Sequence, residues 1–481
     1  MDVAGEAVAP FFRLEMTVPA KRVVATIADR PEDANLPGGE KGVGFVPCGD
    51  GQALELSRGR QIGAVNGEAH QIEMRILLNV MCHDLGDLAD TEQNDVQSRA
   101  PLMLTPTPPG PPPPEGRPRL PVARPALPRT ETLVPYLRQI DESRIYSNHG
   151  PLVAQLEARM AARLGLGGTG VISCSTGTMA LVAAIRAARG LSRARGRLCL
   201  LPAYTFVATA GAALSCGYDC HLVDIDPASW AMEPAALRRH PRLAEVGLVL
   251  PVAPYGRAID LQGWQDFHDE TGIAVVIDAA ACLDGLMASG GDLPRSIPLA
   301  VSLHATKAFG CGEGGLVLSR DTLLLQEAYK GLNNGFYLSR EAQVAGLNGK
   351  MSEYAAAVAL AELDGFAQKR AQWDRVAAAY ARAGAAAGIG LWTAPEISAC
   401  YALVEARDAG QAAAMAGRLH AAGIDFRAWY GGGLSAHPAY AGLSCDPLPV
   451  SADVAARLLG LPCFTDLAEA DIARVLAALA A

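Results

Sequence analysis

Ser302-Leu303-His304-Ala305-Thr306-Lys307-Ala308-Phe309-Gly310-Cys311-Gly312-Glu313-Gly314-Gly315 places one lysine between an apolar run and a glycine-rich turn. The run before it, Leu299–Leu303, reads as a buried strand, and Leu316–Ser319 after the glycines reads as another. A lysine seated at such a strand end can attack a carbonyl as its free amine. A solvated loop lysine is the plainer alternative, since glycine turns between strands are common. His304 reads as a packing residue rather than a proton carrier.

Working towards the N-terminus, the apolar run Ala274–Ile277 ends in Asp278, with Ala279-Ala280-Ala281 behind it. A carboxylate at the end of an apolar strand is costly unless something pairs with it. A protonated heterocyclic nitrogen would do so; a helix N-cap is the ordinary alternative. Further upstream, Ser175-Thr176-Gly177-Thr178-Met179 joins strand Val171–Cys174 to helix Thr178–Arg189. Free backbone N–H groups at that helix start suit a phosphate, although Thr176 or Thr178 could simply cap the helix. Between these lies Pro202-Ala203-Tyr204-Thr205-Phe206-Val207-Ala208-Thr209. Its two aromatics sit where a strand meets a helix and could offer a ring face to a flat ligand or enter the core.

These segments belong to a regular alternation. Strands are predicted at Leu198–Leu201, His221–Ile225 and Gly247–Val252, and helices at Thr205–Ser215, Pro234–His240 and Leu261–Glu270. Two helices, Leu133–Ser143 and Leu152–Leu164, precede the alternation. Short apolar strands alternating with amphipathic helices make an α/β fold: a mainly parallel sheet with helices on both faces. From about Ser352 the pattern changes to helices at Ser352–Leu363 and Phe366–Ala387. Strand Tyr401–Glu405, helix Gln411–Ala422, strand Ile424–Phe426 and a last helix follow, giving a smaller α+β C-terminal domain. The expected division is 1–100 as an N-terminal extension of undefined role, 101–128 as a linker, 129–350 as the large domain and 351–481 as the small one. The linker stands out because 12 of the chain's 32 prolines fall between Pro101 and Pro128, which reads as an extended spacer.

Composition narrows the class. The 481 residues are 50% hydrophobic and 19% charged, enough apolar material for a large core. With 41 basic and 50 acidic residues the net charge is −9, which argues against nucleic-acid or anionic-membrane surfaces as the main partners. No transmembrane run or signal pattern is evident, so a cytoplasmic location is expected. The eleven cysteines contain no CxxC pair and no metal-ligand spacing appears, so reduced thiols and no metal are expected.

A phosphate cradle, a ring stacker, a carboxylate for a ring nitrogen and a lysine for an aldehyde are what pyridoxal phosphate (PLP) requires of a protein. In this order and spacing the chain from about Leu120 to Ala481 resembles the DegT/DnrJ/EryC1/StrS sugar aminotransferases, PLP enzymes of the aspartate-aminotransferase fold (fold type I). Besides the segments above, the resemblance rests on Leu133-Val134-Pro135-Tyr136-Leu137, Ser147-Asn148-His149-Gly150-Pro151, the VDIDP stretch at 223–227, Pro254-Tyr255-Gly256 and Gly346-Leu347-Asn348-Gly349-Lys350-Met351-Ser352-Glu353. The 29 positions between Asp278 and Lys307 (307 − 278) fit the family layout.

The resemblance implies that Lys307 holds the cofactor covalently and shuttles a proton, and that Asp278 pairs with the ring nitrogen. Phe206 would stack on the ring, and Gly177, Thr178 and Ser302 would hold the phosphate. Asn348 would reach the phosphate of a neighbouring subunit, implying a homodimer with shared sites. It further implies transfer of an amino group, from glutamate, to a keto group on a nucleotide-linked deoxysugar such as a dTDP-4-keto-6-deoxyhexose. A PLP-dependent sugar dehydratase and a non-catalytic PLP-binding regulator are the competing expectations; Lys307 argues against the first and the Lys307–Asp278 pair against the second. Two positions depart from the family pattern: Ala281 stands where Gln is usual, and Lys350 where Arg is usual. Tyr430 and His437-Pro438 resemble a segment that lies near the substrate.

Overall fold

The computed structural model describes backbone strands at 11–18, 21–28, 45–47 and 53–55, and the chain at 119–167, 170–290 and 293–480. It divides into two units, Met1–Ala100 and Pro101–Ala481. The first contains two antiparallel pairs, β1 (Phe11–Val18) with β2 (Lys21–Ala28), and β3 (Phe45–Pro47) with β4 (Ala53–Glu55). The apolar run Ile72–Met81 and residues 101–118 of the proline-rich stretch lie outside the described residues.

The second unit is built on one extended sheet. Its strands are β5 (Val171–Cys174), β6 (Leu198–Pro202), β7 (Asp219–Val223), β8 (Val246–Val249), β9 (Ala274–Val275), β10 (Ile277–Asp278), β11 (Leu299–Ser302) and β12 (Gly315–Leu318). β7-β6-β8-β9 run in parallel, and β10-β11 continue the sheet in parallel. Val276 separates β9 from β10 and donates its N–H to the Val249 carbonyl, so the two are one strand. β12 alone among these runs antiparallel, between β11 and β5.

The strand sequences explain this burial. Leu198 and Leu200 enter the core on one face, with Val249, Val275, Ile277 and Val301. Cys199 and Leu201 enter the core on the other, with Leu248, Val276, Ala300 and Val317. Alternate side chains point to opposite faces, so a strand apolar at every position must be covered on both. Each aliphatic side chain fully buried this way contributes about 1.5–3 kcal/mol. The helix after β5, α3 (Gly177–Leu191), presents Ala180, Ala183, Ala184 and Ala187, whose small side chains let it lie close to the sheet.

Helices α1 (Thr130–Ser143) and α2 (Pro151–Arg163) precede the sheet, while α4 (Val207–Ser215), α5 (Pro234–Leu237), α6 (Leu261–Thr271), α7 (Leu283–Ser289) and α8 (Thr322–Leu332) lie between or after its strands. They are followed by α9 (Glu353–Ala387), α10 (Ala409–Ala421), α11 (Pro449–Arg457) and α12 (Glu469–Ala480). Strands β13 (Leu391–Trp392), β14 (Leu403–Glu405) and β16 (Leu458–Gly460) form a second, antiparallel sheet. The short β15 (Ser444–Cys445) returns to the large sheet beside β7. Among the described residues, no helix is long and apolar enough to cross a membrane.

Three expectations need correction. The two helices expected across 352–387 are one helix of 35 residues. Asp364-Gly365 reads as a break, but Asp364 accepts from Tyr136 Oη at 2.7 Å and from Arg159 Nη2 at 2.7 Å, and those tertiary contacts override local propensity. Second, Ile424–Phe426 is not a strand of the small sheet: β14 pairs with β16, and Ile424 forms one bridge with Leu120. Third, the end of the proline-rich stretch is docked rather than free. Leu120 exchanges backbone bonds with Gly423 and Asp425, the Val122 carbonyl accepts from Cys463 N–H, and Arg124 lies 4.5 Å over the Phe464 ring.

Candidate active site

The site lies at the carboxyl ends of the strands, where an open α/β sheet binds ligands. At the end of β5, Thr176 caps α3, its Oγ1 accepting from Met179 N–H at 3.1 Å. Thr178 stands exposed in the first helical turn, so the cap is Thr176. Gly177 faces Ser302 at the end of β11 so closely that a Cβ on it would lie 2.7 Å from the Ser302 Cβ. A Cβ on Gly315, opposite in β12, would fall 2.4 Å from the Thr176 carbonyl oxygen. Backbone proximity, more than turn conformation, requires both glycines.

Asp278 ends β10 at 5% exposure. Its Oδ2 accepts from Thr209 Oγ1 at 2.7 Å, and its Oδ1 from Ala280 N–H at 3.1 Å. Thr209 Oγ1 also lies 2.9 Å from Thr205 Oγ1, tying the 204–209 turn to the carboxylate. Burial pushes the Asp278 carboxyl above the ordinary range; the two hydrogen bonds and the charge of Lys307 pull it back. Phe206, at the head of α4, is 56% exposed and keeps its ring available on the open side.

Lys307 sits in a loop fixed by main-chain bonds. Leu303 N–H donates to Gly314, Ala305 N–H to Gly312 and Cys311 N–H to Leu303, while Gly312 takes φ +96. The ammonium reaches Tyr401 Oη at 3.2 Å. Tyr401, which the sequence did not single out, joins an aromatic set whose other members, Tyr204, Tyr255 and Tyr430, lie in segments that it did. Its ring meets Tyr255 at 5.4 Å edge-on, Tyr255 stacks on Tyr430 at 4.7 Å, and Tyr204 Oη lies 2.8 Å from Tyr255 Oη. Burial pushes the Tyr204, Tyr255, Tyr401 and Tyr430 hydroxyls above the usual tyrosine value, so they remain protonated donors. Buried Asp284 places Tyr401: its carboxylate accepts from Ser398 Oγ at 2.9 Å and Ala399 N–H at 2.8 Å. From sequence Asp284 looks like an ordinary first-turn acid of α7.

The Ser147–Pro151 and Met351–Glu353 motifs meet through one carboxylate. Glu353, 1% exposed, accepts Leu152 N–H at 2.8 Å and Val153 N–H at 3.0 Å, neutralising the start of α2. A Cβ on Gly150 would lie 2.7 Å from the Glu353 carboxyl carbon, so the glycine admits the acid. The preceding His149 takes φ +55 and stacks on Tyr329 at 4.2 Å. Burial holds its imidazole down at about 4, so it is neutral at pH 7. Asn348 is exposed, and its backbone bridges Asn333; the Gly349 carbonyl accepts Ser175 N–H at 2.8 Å. Ser352, not Asn348, caps α9.

A strand-end lysine, a buried acid on the neighbouring strand and a glycine-bounded helix start thus converge, and comparison with known proteins agrees with that arrangement. Residues 129–480 match the DegT/DnrJ/EryC1/StrS aminotransferase family model. The chain belongs to that family. This aminotransferase is 32% identical over 372 residues to Protein Rv3402c of Mycobacterium tuberculosis, covering 75% of this chain and 89% of that protein. It is 30% identical to the UDP-N-acetyl-3-dehydro-alpha-D-glucosamine 3-aminotransferase of Acidithiobacillus ferrooxidans, covering 70% and 89%. Among solved structures, DesI in the presence of its TDP-sugar product superposes with TM-score 0.66 at 30% identity, covering 76% of this chain and 93% of that one. The mainly parallel α/β architecture expected from the sequence is therefore that of the sugar aminotransferases. In this aminotransferase Ala281 is 8% exposed and offers no side-chain polar atom near Asp278. Lys350 is partly buried, and desolvation lowers its ammonium from the usual lysine value.

Proposed function

We propose that this aminotransferase moves an amino group from glutamate to the keto group of a nucleotide-linked deoxysugar, a dTDP-4-keto-6-deoxyhexose, using PLP. The observation that carries the reading is the convergence of Lys307, buried Asp278 and the Thr176–Gly177 helix start on the end of one sheet. The residues fit the cofactor. Asp278 is a buried acid with two donors and no basic side chain hydrogen-bonded to it, as a protonated ring nitrogen would need. A Cβ would fill the cradle at Gly177. When bound, PLP supplies an aldehyde for the donor's amine and an electron-poor ring that accommodates the charge left by a departing proton.

The protein's own groups would do the rest. Lys307 Nζ anchors the cofactor and then carries the proton between the reacting carbons. Asp278 keeps the ring nitrogen protonated, and Thr209 keeps the Asp278 carboxylate oriented. Phe206 covers one ring face. Backbone N–H groups of Gly177 and Thr178, with Ser302 Oγ, hold the phosphate, joined by Asn348 of a second copy in a homodimer. The Tyr204–Tyr255–Tyr430 group, packed against the Tyr401 that meets Lys307, lines the site with protonated hydroxyls. The TDP-sugar named for DesI and the UDP-sugar named for the Acidithiobacillus enzyme support a nucleotide sugar as acceptor.

The test is the half-reaction. Glutamate added to the PLP-loaded protein should shift the cofactor's visible absorbance, and a dTDP-4-keto-6-deoxyhexose should restore it with formation of an amino sugar. A protein that binds PLP yet shows no change with glutamate or any other amino donor would overturn the reading.

A further inference from the structure

A second cluster of coordinating side chains lies apart from the proposed active-site lysine and aspartate. His221 projects from β7, His240 follows α5, and Asp446 follows β15. One ligating atom from each lies within 4.8 Å of the others. His221 Nε2 stands 3.1 Å from Asp446 Oδ1, and His240 Nε2 stands 3.2 Å from Asp446 Oδ2. A tetrahedral zinc-type ion with bonds near 2.0–2.2 Å separates its ligand atoms by about 3.3–3.6 Å, so the two carboxylate contacts already have nearly that spacing, while the widest separation, within 4.8 Å, must close by about 1 Å.

The backbone has already fixed all three side chains. Ser444 pairs with His221 and Cys445 with Leu222 in parallel register, and Asp446 N–H donates to the Leu222 carbonyl at 2.9 Å. His240 N–H donates to Leu237 at 3.0 Å. Both imidazoles are 6% exposed, whereas the Asp446 side chain is 33% exposed. An ion would therefore enter from the carboxylate side, where water could take the fourth position.

Metal binding at both Nε2 atoms needs the ring protons on Nδ1. His221 Nδ1 lies 2.9 Å from Ser444 Oγ, which is directed at the Cys220 carbonyl at 3.4 Å. A proton on Nδ1 held by that oxygen leaves Nε2 free for a metal, the usual outer contact of a metal-bound histidine. Arg242 Nη1, which can only donate, also lies 3.3 Å from His221 Nδ1, so the metal-binding tautomer requires this long contact to be given up while the guanidinium stays with Glu245 at 2.7 Å. His240 Nδ1 accepts Arg242 N–H at 3.2 Å, and that long bond would be given up on metal binding.

We propose that His221, His240 and Asp446 bind one divalent transition metal of the zinc class, stapling β15 to the edge of the large sheet. The sequence carried no sign of it, because Asp446 lies 225 and 206 residues from the two histidines. The role is structural, since two imidazoles and a carboxylate on three separate segments join what the chain keeps apart.

The test uses the full, PLP-loaded chain stripped of metal by chelator and titrated with Co2+ and Zn2+ separately. Expected results are about one ion per chain, visible Co2+ absorption typical of tetrahedral coordination, and a melting temperature raised by Zn2+. His240→Gln and Asp446→Asn, each checked for native circular dichroism, should each weaken binding at least about tenfold. No stoichiometric binding by the wild-type chain, or undiminished binding by both folded variants, would overturn the proposal.

Discussion

The strand-end wall of the site, Ser175–Thr178 with Ser302 and Gly315, and the aromatic wall, Tyr204, Tyr255, Tyr401 and Tyr430, meet at Lys307 but are held differently. The first is set by backbone proximity: Gly177 and Gly315 leave no room for a methyl group. The second is assembled from rings on separate segments, joined by hydroxyl contacts and by stacked and edge-on packing. A wall of main chain offers fixed N–H donors and little scope for change. A wall of side chains can be retuned one residue at a time. This is the division expected if the first wall serves a constant cofactor and the second a variable substrate.

The largest effect should come where the walls meet. Lys307→Ala should lower turnover by roughly 10³-fold or more while leaving the fold intact, since the side chain's hydrogen bond is a single contact to Tyr401. Borohydride reduction and mass mapping of the wild type checks the assignment; cofactor trapped on another lysine would refute it. The next test asks whether the strand-end wall is complete within one chain. Lys307→Ala and Asn348→Ala subunits, each inactive alone, should recover about a quarter of wild-type specific activity in an equal random mixture. Half the dimers are then mixed, with one good site of two. No recovery despite proven exchange would return Asn348 to its own subunit, where the adjoining Gly349 carbonyl already meets Ser175.

Gly177→Ala should damage the strand-end wall sharply, because its Cβ must displace Ser302. Overpacking of this kind costs about 1–3 kcal/mol, and denaturant unfolding should report it together with weaker PLP binding. Asp278→Asn separates electrostatics from packing. Burial holds the folded-state value of Asp278 above that of the unfolded chain. Its contribution to stability is therefore fully present below the unfolded value of about 3.9 and lost as pH rises through the folded one. The cofactor-free Asn variant should accordingly melt ~2 °C or more above the wild type at pH 7, with the gain shrinking towards pH 4, although its activity falls. A constant difference across pH would assign the effect to packing. The smallest effect should be Tyr401→Phe, which keeps the ring and removes only the hydroxyl that accepts from Lys307 Nζ. A loss of about tenfold or less in kcat, with an unchanged melting temperature, is expected from a bond worth ~1 kcal/mol. A stability loss matching that of Gly177→Ala would erase the contrast between the walls.

The strand-end wall was legible in the sequence because each of its parts is a contiguous apolar run followed by small or charged residues. Asp278, Lys307, Gly177 and Ser302 each follow such a run, and parallel pairing brings the strand ends together. Thr209 lay within a recognised segment, yet its bond to Asp278 could not be read without knowing that α4 begins beside β10. Tyr401 and Asp284 carried no local signal. The first looks like a strand residue and the second like a first-turn helix acid. The 35-residue α9 was misread because Asp364-Gly365 breaks helices in isolation, and only Tyr136 and Arg159 reverse that preference.

Period and composition therefore determined the layers of this protein: a strand apolar at every position demands cover on both faces wherever it occurs. The same local chemistry determined which residues stand at the strand ends, because loops there must start with the residues that end the strands. Tertiary structure alone decided the partners of buried polar groups. Glu353 neutralises the start of a helix 200 residues away, Asp284 anchors the loop that carries Tyr401, and Asp446 joins two histidines that lie 225 and 206 residues earlier in the chain. A buried carboxylate must find donors, but its own sequence neighbourhood does not say where they come from.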